Sequence, residues 1–159
     1  MKLSSQEEFG LRCLLQLGRE GDGGSLTIAE MSQREGISSP NVAKIMRILR
    51  RAALVKSTRG KAGGYTLARP AGQIPIKEVL RALGGPLFDS GFCDKHAGVE
   101  LRCAHLGDCS IRPVLRHLQD AVDQVLGRLT VESLLRNEQE VSVAVGPRAV
   151  TLPVTSRLS

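Results

Sequence analysis

Tryptophan is missing from this 159-residue chain, and one Tyr and three Phe are its only aromatic residues. That scarcity argues against a single-strand nucleic-acid binder, which would hold bases on aromatic platforms. There is no long apolar run, so no membrane span is expected. The opening MKLSSQEEFGLRCLLQLG places acidic and polar residues before any apolar stretch and offers no small-residue cleavage site, so a cytoplasmic location is expected. In that reducing setting the four cysteines are free to bind metal and are not assumed to form two disulfides. Catalytic signatures are lacking as well: there is no phosphate-binding Gly loop, no acid and base paired within a motif, and no nucleophile elbow around a Ser or His. The expectation is a protein that is not an enzyme.

One sign of charge is also absent, and its absence is local. From Gly36 to Lys77, forty-two residues contain no Asp or Glu, while Lys44, Arg47, Arg50, Arg51, Lys56, Arg59, Lys61, Arg69 and Lys77 supply nine positive charges. Thirteen basic and sixteen acidic residues remain elsewhere, so the net charge of +6 belongs to one basic segment on a mildly acidic body. A solvated face explains a charge run of either sign but not the exclusion of acids over such a length. The distribution points to a surface that meets phosphate.

The pattern of residues says what carries this charge. Leu3, Leu11, Leu14, Leu15 and Leu17 predict a first helix over 3–18, broken by the glycines from Gly18 to Gly24. Thr27 caps a short second helix, IAEMSQREG, with Ile28, Ala29 and Met31 facing a core and Gly36 ending it. Ser38 or Ser39 caps a third helix with Pro40 in its first turn. Along it Val42, Ile45, Met46, Leu49, Ala52 and Ala53 form an inward stripe, and Asn41, Lys44, Arg47 and Arg51 lie opposite. This order matches a helix-turn-helix, whose second helix reads the major groove. The next residues, LVKSTRGKAGGYTLAR, read as strand 54–58, a basic turn 59–64 and strand 65–69, which is a wing. Gly63 and Gly64 are expected to take positive φ there, with Arg59 and Lys61 projecting toward DNA backbone or a narrow minor groove.

A fourth helix, IPIKEVLRALGG, precedes the second feature, Cys93, Cys103 and Cys109 within seventeen residues. Thiolates crowded into a charged, glycine-containing loop suit a soft metal or an iron-sulfur cluster better than packing. The paired C-x2-C spacing of a structural zinc site is absent. Cys13, on the apolar side of the first helix, reads as a small buried hydrophobe. Beyond the cysteines, Ile111, Leu115, Leu118, Val122, Val125 and Leu129 alternate spacings of four and three, a heptad seam nearly three repeats long. Palindromic double-stranded DNA is read by two-fold dimers, so the seam is expected to pair with its copy in a homodimer. Thr130 to Leu135 can add one helical turn, and the tail from Asn137 alternates weakly, as a loose hairpin or disordered.

Helix-turn-helix, the wing RGKAGGYTLAR, three cysteines and a seam helix, in that order, closely resemble the iron-sulfur winged-helix transcriptional regulators of the IscR/NsrR/RirA type over residues 1–136. The resemblance implies a mainly α fold with a small β-wing: a DNA-binding domain at 1–85, a cluster-binding loop at 86–109, a dimerisation helix and short following helix at 110–136, and a tail at 137–159. It also implies a homodimeric repressor whose operator binding is set by an iron-sulfur cluster of two or four irons, sensing redox state, nitric oxide or iron status. Residue by residue, Cys93, Cys103 and Cys109 match the cluster cysteines. Ser38, Ser39, Pro40, Asn41 and Lys44 match the recognition helix, and Arg59 the minor-groove arginine.

Two departures follow. The first cysteine gap has nine intervening residues, longer than the five common among the assembly repressors, and the second has five. Where those repressors place a histidine ligand this chain has Arg112, a poor donor to iron because it stays protonated. Glu8 is then the first candidate for the fourth ligand, since relatives use a first-helix carboxylate at the matching position. His105 is the second and His96 the third. The rival reading is a cluster-free winged-helix regulator with a cysteine thiol-disulfide switch.

Overall fold

The computed structural model describes residues 3–58, 60, 63–89, 91–95, 103, 105 and 107–146. Within them the chain is helical apart from one two-stranded antiparallel sheet. Helix α1 (Ser5–Arg19) starts at Ser4, whose hydroxyl accepts the Glu7 N–H while the Glu7 carboxylate takes the Ser4 N–H at 2.8 Å. Thr27 and Glu30 repeat this reciprocal cap on α2 (Ile28–Glu35). Each such pair satisfies two donors that would otherwise be left open at the helix start.

The turn into α3 (Ser39–Arg51) is made by Gly36 at φ 65°, a left-handed conformation that costs glycine nothing. Ser32 Oγ then donates to the Ile37 carbonyl at 2.6 Å, pinning the turn. Val42, Ile45, Met46 and Leu49 are buried as the periodicity requires. Two expectations fail locally. Ala29 is exposed, leaving Met31 as the buried side chain of α2, and the inward stripe of α3 stops before Ala53. Ala53 lies outside the helix at φ 56°, where its N–H bonds the Arg50 carbonyl and the Leu54 N–H bonds the Leu49 carbonyl, a Schellman closure.

Strands β1 (Val55–Thr58) and β2 (Gly64–Leu67) pair with Val55 opposite Leu67 and Thr58 opposite Gly64. Of the wing glycines Gly60, not Gly63 or Gly64, takes positive φ, at 129°. Gly64 serves another purpose: a Cβ there would come within 2.6 Å of the Leu26 carbonyl oxygen, because Leu26 and Tyr65 exchange backbone hydrogen bonds and draw the hairpin against the chain ahead of α2.

After a short 3-10 turn (Ala71–Gln73), α4 (Ile76–Gly84) lays Ile76, Val79 and Leu83 into the same core as Leu14, Leu17, Met46 and Leu49. The cysteine segment is not all loop, since Phe92–Lys95 forms a short helix, α5. Then come α6 (Ile111–Gly127), α7 (Val131–Leu134) and α8 (Glu138–Val145). The expected extra turn is α7, which Thr130 caps, and Val131 is fully buried in the core. The α8 helix corrects the expectation of a hairpin or disorder from Asn137: the Asn137 carboxamide oxygen accepts the Glu140 N–H at 2.9 Å, and Glu138 and Glu140 occupy the first turn, where the helix dipole favours acids. The rest of the tail, 147–159, lies outside the described residues.

Candidate nucleic-acid interface and cysteine segment

Helix α3 is held from behind and open in front. Its buried stripe packs on α1, α2 and α4, while Ser38, Ser39, Pro40, Asn41, Lys44, Arg47 and Arg51 are all exposed. Ser38 stands at the cap position, but its side chain makes no capping hydrogen bond, and Ser39 Oγ turns toward Ser32 Oγ at 3.2 Å. The start of α3 is thus left without a side-chain cap among four exposed small polar or cyclic residues, a composition suited to phosphate or base edges. Behind it, Arg12 of α1 clamps the end of α2, donating from Nε to the Glu35 carboxylate at 2.7 Å and from Nη2 to the Glu35 carbonyl. The sequence shows Glu35 only as the last acid before the basic run; its use by Arg12, 23 positions away, is a tertiary fact.

The basic segment is thinner in space than in sequence. Among the described residues Lys44, Arg47, Arg50, Arg51 and Lys56 take part in no ion pair, but Arg69 is paired with Glu78 and Lys77 with Asp123 at 2.9 Å. Arg59 and Lys61, placed by the sequence on the wing, lie outside the described residues.

Cys93, Cys103 and Cys109 are free and half-buried. Cys93 lines a cavity of about 480 Å³ with Phe88, Asp89, Asp94, Arg112 and Arg116, so this part of the segment lies along the first half of α6. Arg112 points back to the same segment, with a long 3.5 Å contact to the His105 carbonyl. His105 itself is exposed. Glu8, with its side chain 60% exposed, is paired with Arg12 at 3.4 Å. Three free thiols are a donor set that suits iron. Among the described residues, however, no three His, Cys, Asp or Glu side chains are gathered closely enough to hold a metal ion, so neither Glu8 nor His105 joins two of the thiols in a ready-made ligand set. Cys13 is fully buried, as its position implied.

The seam expected on α6 divides between two sides. Ile111, Leu118 and Val125, one heptad apart, are exposed at 62%, 54% and 48%, with Val114 beside them at 58%. Leu115 and Val122 are half-buried, and Leu129 falls beyond the end of the helix, packed against the core. No helix among the described residues is long and apolar enough to cross a membrane.

The model of the Rrf2 family, described as an iron-dependent transcriptional regulator, matches residues 3–137. The chain belongs to the Rrf2 family. It is 30% identical over 144 residues to the HTH-type transcriptional regulator IscR of Xenorhabdus nematophila, spanning 91% of this chain and 85% of that one. Among solved structures it is similar to T. potens IscR, with a TM-score of 0.65, 26% identity and coverage of 85% and 86% of the two chains. It is equally similar to CymR, the global cysteine regulator of B. subtilis, with a TM-score of 0.67, 27% identity and coverage of 85% and 96%. Membership makes the chain a DNA-binding, winged-helix transcriptional regulator and not an enzyme, as the missing catalytic motifs implied. Because an IscR and a CymR share its fold to the same degree, the fold alone does not say what the cysteines do.

Proposed function

We propose that this Rrf2-family regulator is a homodimeric repressor whose affinity for a palindromic operator is set by an iron-sulfur cluster on Cys93, Cys103 and Cys109. The observation that carries this reading is the set of three free, half-buried thiols on a segment applied to α6, the helix whose other side leaves Ile111, Val114, Leu118 and Val125 uncovered. Residues 1–85 read DNA, 86–109 hold the cluster, and 110–136 pair the subunits. Ser38, Ser39, Pro40 and Asn41 enter the major groove. Lys44, Arg47 and Arg51 meet phosphate, and Arg59 and Lys61 extend the contact from the wing. The fourth ligand is Glu8, with His105 in reserve; for Glu8 to serve, it must leave Arg12, which keeps Glu35 as its partner. The bound cluster would supply a redox- and nitric-oxide-reactive centre that braces the segment.

Anaerobic purification followed by visible absorption and native mass spectrometry tests the assignment. A charge-transfer chromophore and a dimer mass carrying one cluster per subunit are expected; Cys103→Ala should lose the chromophore and the cluster mass and remain a dimer. An unchanged spectrum in that variant would remove the cysteines from the ligand set. Free cysteines also support one second reading, a cluster-free thiol-disulfide switch. Metal-free protein with full operator binding, lost on oxidation and restored by dithiothreitol, would select it.

A further inference from the structure

Helix α6 contributes no buried residue, yet it must sit at a defined angle to the DNA-reading unit for any signal to pass between them. Two ties hold it. At its far end the backbone is stitched to the start of α4: the Ile76 N–H donates to the Leu129 carbonyl at 2.8 Å and the Val131 N–H to the Ile74 carbonyl at 2.9 Å. In its middle the tie is ionic and passes through one carboxylate. Asp123, with its side chain 16% exposed, receives Lys77 at 2.9 Å and Arg81 at 2.7 Å on the same oxygen, both from α4. Its other oxygen accepts the Gln119 amide at 2.9 Å. Gln119 in turn accepts the backbone N–H of Phe88 at 3.0 Å, and the Phe88 ring packs on Phe92 with centroids 5.2 Å apart, directly before Cys93. Burial works to raise the Asp123 carboxyl, but hydrogen bonds from Lys77 and Gln119 and the charges of Arg81 and Lys77 outweigh it and hold it below the ordinary value.

The cysteine segment, α6 and α4 thus meet at Asp123, and α4 packs directly on α3. We infer that Asp123 is a positioning residue that passes the state of the cysteine segment, through Gln119, to α4 and so to the recognition helix. A rearrangement around Cys93 that displaces Phe88 removes the hydrogen bond that orients Gln119 and with it one of the three groups fixing the Asp123 carboxylate. Lys77 and Arg81 then lose a fixed anchor, which biases the seating of α4, still held by its buried Ile76, Val79 and Leu83, against α3. This inference rests on the reading that the cysteine segment carries the signal.

The test compares full-length wild type, Asp123→Asn and Asp123→Glu, each purified anaerobically and measured cluster-loaded and chelator-stripped. Visible spectra report the cluster, native mass the dimer, and operator titrations the affinity ratio between the two states. Asp123→Asn should keep spectrum and dimer while its affinity ratio falls toward one by about fivefold or more, and Asp123→Glu should restore part of it. A merely structural role would weaken both states in parallel and leave the ratio intact, which overturns the inference. If Asp123→Asn fails to fold, Gln119→Leu cuts only the Phe88 link and should lower the same ratio; an unchanged ratio there overturns it equally. Wild type with a chromophore but no difference between states removes the underlying reading, and this inference with it; a wild-type ratio retained in the variants removes this inference alone.

Discussion

Cys13 and the three later cysteines carry the same thiol in different surroundings. Burial, helped by the nearby Glu35 charge and opposed by Arg12, pushes the Cys13 thiol up to about 11 from an ordinary 9.0. In apo protein at pH 8, iodoacetamide should therefore modify Cys93, Cys103 and Cys109 and leave Cys13 intact until the fold is opened; peptide mapping checks this, and early modification of Cys13 would contradict its placement. The folded state keeps this proton longer than the unfolded chain does. Its contribution is thus fully present below pH 9.0 and is lost as pH rises through about 11, by roughly 2–3 kcal/mol at most. Cys13→Ala should flatten the fall in stability over that range. A second residue is strained by geometry. Ala53 holds φ 56° to close α3, so Ala53→Gly should raise stability by about 1 kcal/mol, seen as a higher denaturation midpoint, and a lower midpoint would show that its methyl group matters more than its backbone.

At the scale of elements, the proposed DNA contacts divide along the length of α3. Replacing Asn41 with Ala should relax base preference at one operator position with a cost of about 1–3 kcal/mol, whereas Lys44→Ala or Arg47→Ala should weaken all sequences alike and reduce the salt slope by about one each. Uniform weakening by Asn41→Ala would move that residue to the backbone class. On α6, Leu118→Lys places a charge in the middle of the uncovered apolar face and should shift the native mass from dimer to monomer. These elements were legible because their signals are local: Thr27 with Glu30, Gly36, Pro40 in the first turn of α3, and an inward stripe at helical spacing. Where a local pattern admits two answers the sequence misled. Val141, Val143 and Val145 alternate like a strand, but the Asn137 cap and the acids after it make a helix. The wing glycines were recognised, but not which of them turns and which makes room for Leu26, because that depends on a backbone brought from elsewhere.

Over the whole molecule, the separation of charge survives folding only in part. Lys77 and Arg69 are taken up by Asp123 and Glu78, acids outside the basic run, so among the described residues the basic side chains of that run without an ion pair centre on α3 and Lys56. The Asp123 junction was invisible in the sequence because its partners are 42 and 46 positions away, and a fourth ligand for the proposed cluster was invisible because no spacing rule names it. What binds these parts into one device is the claim that the cysteine segment governs the reading head. The most direct measurement is operator affinity at fixed salt for anaerobically purified protein, before and after cluster removal, with Cys103→Ala beside it. Affinity should differ by about fivefold to 150-fold between the two states, with the Cys103→Ala protein fixed at the stripped value. Equal affinities in all three samples would contradict that claim.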